Sequence, residues 1–491
     1  MTKNTNTSKN VITAATGFLP KLKQLAEAIR NANLIAAGIR GSLLGSLIAG
    51  QIVMPVLAAT NLPDLYNLGN SDSGNTIIDT DGTVMTITQS ADRINLNWKT
   101  FNISEGYTVD FVQQAGDIAL NRVFLSASSI EGILTSDATV ILVNPKGVVF
   151  TSTATVDVGS LIVSGGEVSL DDKDSFLQNN NLLIGSGAGA VTNDSSFVDD
   201  NGVSTKGITA LSSVIFLGGQ VTNNGDINAN VVNMIGADGA TITFGSGVLG
   251  IESIVGASVA SSVVNSGTIT ASQITLEAST AADLLDAAVN NTGTIQATGI
   301  ATIGGEIRLV SSVLDASKVA SVSNSGSLTA VKGDSANNAA ITIEGDEVTL
   351  GSGTSADAKV ISVDTGSLVI NAGDGNAAVD KLTIKDGISF LGDAGAMNAY
   401  ATALDVSNAS SSYKDLNLVS DDNALTIGAS DITSLKVNSI TSVSGSGSTI
   451  NGNANGSDTF VVDADVNEVT SKGIDFSGVT TVAAGTATDG G

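Results

Sequence analysis

The 491-residue chain carries 21 basic and 48 acidic residues, a formal charge of −27, and has no Cys and no His. Disulfides, zinc sites of the usual Cys and His ligands and any nucleophile that depends on a histidine base are therefore excluded, and the negative surface repels phosphate backbones, so nucleic acid is not an expected partner. With 42% hydrophobic residues but 3% aromatic and 14% charged, the chain is too apolar for disorder and too poor in large side chains for a thick core.

Residues 1–59 differ from everything after them. Lys3, Lys9, Lys21, Lys23, Arg30 and Arg40 face a single acid, Glu27, for a net charge of +5, whereas the rest, with 15 basic and 47 acidic residues, carries −32. An apolar run over 43–57 ends in Val56-Leu57-Ala58-Ala59, where small residues suit a signal peptidase. The stretch is predicted to be an extended signal peptide, helical and apolar, cleaved after Ala58 or Ala59. A membrane anchor is the alternative, but Gly45, Gly50, Gln51 and Pro55 interrupt a run already short of the ~20 apolar residues that a span needs. Export to an oxidising space without cysteine requires a fold stable without disulfides.

After residue 60 short runs alternate apolar and polar side chains, as in Val84-Met85-Thr86-Ile87-Thr88, separated by Gly, Asn, Asp and Ser. That period of two is the strand signature. The best helical candidate is a short stretch over 281–288.

The most informative block lies between Ile94 and Val163. It holds Trp98-Lys99-Thr100-Phe101-Asn102, Phe111-Val112-Gln113, Asn121-Arg122-Val123, Ile130-Glu131-Gly132 and Asn144-Pro145-Lys146-Gly147-Val148-Val149-Phe150. Asn144 to Gly147 reads as a type I or II turn, with Pro fixing φ, Gly ending the turn and the Asn side chain capping it. Arg122, a cation in an acidic chain, reads either as an internal partner of a carboxylate or as an external contact. Trp98 reads as a core or cap residue.

In order and spacing these motifs resemble the amino-terminal secretion domain of the filamentous haemagglutinin family, large exoproteins of two-partner secretion in Gram-negative bacteria. One departure is Lys146, where the family usually has Asn; Pro145 and Gly147 should still set the turn. The resemblance implies a partner, an outer-membrane transporter whose periplasmic domains recognise this domain. It also implies that Asn121, Arg122, Val123, Asn144, Pro145, Lys146 and Gly147 form the secretion motif, with turn structure or direct contact as the two possible roles of the second group.

Further along, the pattern Val-x-Asn-x-Gly-x-(Ile or Leu)-x-Ala recurs at 221–229, 263–271, 289–297 and 322–330, at intervals of 42, 26 and 33 residues. Partial copies lie near Asn179, Asn193 and Asp364. Periods of this size signal a solenoid. The expected fold is all-β, a right-handed parallel β-helix of one or two coils per repeat, with stacked Asn at the turns and Gly supplying positive-φ corners. The expected division is a two-partner secretion domain over 60–310 and a repetitive adhesin-like region over 311–491, whose Gly, Ala, Thr and Asp ending fits a tail or the front of a longer exoprotein.

The acid pairs Asp171-Asp172, Asp199-Asp200 and Asp421-Asp422 read as solvated turns, and residues 453–460 lack most glycines of a calcium repeat. No catalytic, cofactor or metal site is expected. The sequence points to a secreted or surface adhesin, its host receptor not specified by these motifs. The alternatives are a β-helical polysaccharide-active enzyme and the front part of a cytolysin or contact-dependent toxin.

Overall fold

The computed structural model describes residues 61–66 and 76–372, less 188, 197–206, 245–249, 255–260, 281–287, 300–302, 314–318, 334–337, 353–358 and 365, together with the backbone of further strands between 381 and 483. The expected signal segment with Ala58 and Ala59, and the helix expected over 281–288 except for Ala288, lie outside the described residues.

Coil follows coil in parallel. Strands Gln220–Asn223, Asp226–Asn228 and Val231–Gly236 are succeeded in register by Ser262–Asn265, Thr268–Ala271 and Gln273–Thr280. One strand of each coil joins a 15-stranded sheet and the other two join a 24-stranded sheet. Register turns the alternating pattern into apolar ladders: Val221, Val263, Val289, Val322 and Val348 stack on one face. Ile227, Ile269, Ile295, Leu328 and Ile361 stack on the next. All are buried in a single core, so the fold is the parallel β-helix expected from the sequence.

Each motif copy is one coil, not one or two, because copies 42, 26 and 33 residues apart pair directly. The longest interval holds an inserted hairpin, Gly239–Thr243 and Gly250–Ile254, which pairs outside the helix with Asn181–Ile184. A nine-residue helix, α1 (Leu170–Gln178), precedes it; the sequence reading missed this element. Ser169 caps α1 by accepting from the Asp172 N–H, and Asp171 and Asp172 occupy its first turn rather than a loop. Acids there suit the positive end of the helix dipole.

α1 and the three-stranded sheet cover part of the outer face of the coils. Ile118, Leu120, Ile141, Ile162, Ile215 and Leu217 thus face a second apolar cluster with Phe176, Leu182, Ile242 and Phe244. Covering both faces explains the unbroken apolar runs Val140-Ile141-Leu142-Val143 and Leu161-Ile162-Val163 in strands that elsewhere alternate.

At the motif corner the side-chain amides of Asn193, Asn223, Asn265, Asn291 and Asn324 form a buried ladder, each Nδ2 donating to the next Oδ1 at 2.6–2.7 Å. The partial copy at Asn193 belongs to this ladder, whereas Asn179 ends α1. The motif glycines do not have the positive φ expected of them; among the described residues the positive-φ glycines are Gly82, Gly106, Gly116, Gly147, Gly207 and Gly351. Their requirement is steric: a Cβ on Gly267 would lie 1.9 Å from the Gly225 carbonyl oxygen, and one on Gly293 would lie 2.1 Å from that of Gly267.

Candidate functional site

Asn121, Arg122 and Val123 end the strand Ile118–Val123, which pairs with Arg93–Thr100 on one side and Ile133–Val143 on the other. Alternation points Asn121 and Val123 inward and Arg122 outward. Asn121 accepts from Trp98 Nε1 at 2.9 Å and donates to the carbonyls of Ala119 and Ile141. The lone Trp is therefore a core residue, edge-on to Phe101 with ring centroids 5.4 Å apart.

Arg122 is buried although it sits on the outer face. Its guanidinium lies over the Phe124 ring, 5.2 Å from the centroid, and donates to Asn97 Oδ1 at 3.5 Å. Burial lowers its pKa from the ordinary arginine value, opposed by the charge of Glu167 and then of Asp174. Its close contacts are thus a ring and an amide, and the carboxylates act on it through space.

Asn144 closes the second group. Its Nδ2 donates to the Ser126 carbonyl at 2.8 Å and to Ser128 Oγ at 3.0 Å, while its Oδ1 accepts from the Lys146 N–H at 2.9 Å. The Gly147 N–H donates to the Asn144 carbonyl at 2.9 Å, completing the expected capped turn. Gly147 has φ +100° and a Cβ there would meet the Ala190 carbonyl at 2.9 Å, so no other residue fits. Lys146 is exposed.

The two groups meet. Arg122, Phe124, Val143 and Pro145 line a cleft of about 540 Å³ whose other wall is Glu167, Val168, Ser169, Leu170 and Asp171, from the start of α1. Sequence reasoning named Arg122 and Pro145 but missed the α1 wall, although Ser169 three residues before Asp172 is the capping signal that marks it. It also missed Arg93. That guanidinium donates to the Phe176 carbonyl at 2.8 Å, to the Asn179 carbonyl and to Asn180 Oδ1 at 2.7 Å, and stacks over the rings of Phe176 and Phe244. It supplies the positive charge that the last turn of α1 lacks.

Among the described residues no three or more acidic groups are close enough to hold a metal ion, and no helix is long and apolar enough to cross a membrane.

Residues 66–330 match the model of the TPS secretion domain. The chain is 29% identical over 209 residues to a heme/hemopexin-binding protein of Haemophilus influenzae strain Rd, covering 42% of this chain and 22% of that protein. A second heme/hemopexin-binding protein of H. influenzae is 38% identical over 91 residues, covering 18% of this chain and 10% of its own length. The chain thus spans about a fifth or less of the curated relatives it matches. The crystal structure of the HMW1 secretion domain from H. influenzae superposes with a TM-score of 0.54 at 20% identity, covering 83% of this chain and 97% of that one.

Proposed function

The chain belongs to the TPS secretion domain family, and on that premise we propose that the cleft between Arg122 and Pro145 is where its partner outer-membrane transporter reads it. As a family member the protein is an exoprotein of a Gram-negative bacterium, passed through the periplasm to the surface or the medium. The reading assigns recognition to residues 60–310 and the work outside the cell to residues 311–491. The strand Glu306–Val313 crosses that division, so it separates two tasks along one continuous ladder. A signal peptide cleaved after Ala58 or Ala59 completes the route.

The observation that carries this reading is the convergence of Arg122 and Pro145, from separate motifs, on one cleft beside the exposed Lys146. Asn121 and Asn144 are buried and hydrogen-bonded, so their part in the motif is to hold strand and turn in shape. The test is co-expression with the cognate transporter and measurement of protein released into the medium. A P145A/K146E variant that keeps the wild-type circular dichroism should lose about tenfold in release, the effect of one lost anchor contact. Release at the wild-type level defeats the reading.

Outside the cell the protein works by binding and not by turnover. The named relatives favour a heme or hemopexin cargo over a cell-surface receptor. Without His or Cys, the chain lacks two of the usual axial ligands to heme iron, so the protein hemopexin is the better fit. Binding of heme, of hemopexin and of whole cells by the secreted protein, measured side by side, decides among them.

A further inference from the structure

The covering layer ends part of the way along the coils, and the face beneath it changes character there. In one column of the outer face Leu120, Ile141, Ile162 and Ile215 stack in register and pack into the second apolar cluster. The next three rungs of the same column are Asn233, Thr275 and Arg308. The change falls beside Gly250–Ile254, the edge strand of the covering sheet, which among the described residues pairs only with Gly239–Thr243. Between that open edge and the polar rungs lies a groove of about 310 Å³.

A further strand added at the edge would press its inward side chains onto this polar floor, where the existing cover meets leucine and isoleucine. A peptide strand is thus a poor occupant. Ligands of a single charge fit no better, because Glu306 and Glu277 stand in the columns on either side of Thr275 and Arg308. An anion meets two carboxylates and an arginine already 3.7 Å from Glu344, and a cation meets the guanidinium. Both carboxylates also accept hydrogen bonds, Glu277 from Ser253 Oγ at 2.7 Å and Glu306 from Gln273 Nε2 at 3.2 Å. The groove therefore presents donors and acceptors side by side, each at least partly open to solvent, beside the apolar Ile251 and Val310.

We propose that this groove binds a neutral saccharide. Ring hydroxyls donate to Glu277 and Glu306 and accept from Arg308, Gln273 and Asn233, while the C–H face of a ring lies against Ile251 and Val310. Coils repeat every ~4.8 Å, so the polar rungs recur at about the length of a sugar unit. A space of about 310 Å³ is at the small end of ligand sites and holds one or two rings. The groove shares no lining residue with the cleft of Arg122 and Pro145, so it is a second site, and neither reading depends on the other.

The experiment screens the purified protein against immobilised neutral, amino and acidic oligosaccharides, and against extended peptides of alternating Val and Thr, then titrates the best binder by calorimetry. Neutral sugars should bind best, with an affinity little changed between low and high NaCl. T275V/R308M should weaken binding about tenfold, the effect of one lost hydrogen bond to a charged group. T329V, in the strand Ser327–Val331 outside the groove, should leave it unchanged. Should T275V/R308M lose its wild-type circular dichroism, Q273A takes its place, with a loss of about three- to tenfold expected. The proposal falls if no sugar binds, if acidic or amino sugars bind best, or if the groove variant binds as tightly as the wild type. An equal loss in T329V overturns it as well. A peptide that binds in place of the sugars marks the open strand edge as the site and overturns it too.

Discussion

Trp98 Nε1 donates to Asn121 Oδ1 at 2.9 Å between adjoining coils, with both side chains shut off from solvent. The same amide donates to the carbonyls of Ala119 and Ile141, so one asparagine ties together three neighbouring strands. Replacing Asn121 with Ala leaves the indole N–H without its acceptor in an apolar interior, which costs about 1–3 kcal/mol. The expected result is a lower urea midpoint for the purified N121A protein, with an unchanged m-value. A midpoint equal to the wild type would mean that the bond is not formed in solution.

The motif glycines give a second prediction. A Cβ on Gly267 would sit 1.9 Å from the Gly225 carbonyl oxygen, a backbone atom that can move only if the coil moves. G267A should therefore destabilise by several kcal/mol, on the scale of severe overpacking. Gly82 is the contrast: its φ is +62°, yet a Cβ there meets nothing within 4 Å. Asparagine tolerates that conformation, so G82N should cost no more than about 1 kcal/mol. Thermal melts of the two variants side by side separate the steric from the conformational role.

That contrast also shows what the sequence made legible. The Val-x-Asn-x-Gly frame located the coils because Val221, Val263 and Val289 recur at positions that must stack. The reason for Gly was misread, since an Asn followed two residues later by Gly looks the same whether the corner needs a positive φ or a missing Cβ. Only the coil-to-coil approach, a property of stacked backbones, tells the two apart. Within the site, Asn144 to Gly147 were legible because a capped turn is local. The α1 wall was harder to see, because Leu170–Gln178 gains its buried face from Arg93 and Phe244, which lie 83 and 68 residues from Phe176 in sequence.

The amide ladder predicts a gradient of cost along its length. Asn265 accepts from Asn223 and donates to Asn291, so N265A strands a donor on one side and an acceptor on the other. Asn324 is the last rung, followed in register by Leu350; it accepts from Asn291 and donates to the Gly326 carbonyl at 3.2 Å, as Asn265 donates to that of Gly267 at 3.3 Å, so its loss breaks one amide-to-amide bond where N265A breaks two. At about 1–3 kcal/mol for each unsatisfied buried group, N265A should destabilise by about that much more than N324A. Equal losses in urea melts would indicate that packing at the corner, and not the chain of amides, carries the stability.

The last prediction concerns Arg93. Its strand belongs to the first coils, whereas its acceptors are the carbonyls of Phe176 and Asn179 at the end of α1 and the side chain of Asn180. The guanidinium also lies between two rings, 5.3 Å from the Phe176 centroid and 5.6 Å from that of Phe244. Lysine carries the charge but cannot serve several acceptors in one plane while stacking on both rings. R93K should thus recover only part of what R93A loses, about 1–3 kcal/mol of local stability. The loss should be confined to the covering layer, because the ladders beneath it do not depend on Arg93. Amide hydrogen exchange should accelerate across Leu170–Gln178, Asn181–Ile184 and Gly239–Thr243 while Ile269 and Ile295 keep their protection. Uniform acceleration through the later coils would show instead that the outer layer and the β-helix open as one unit.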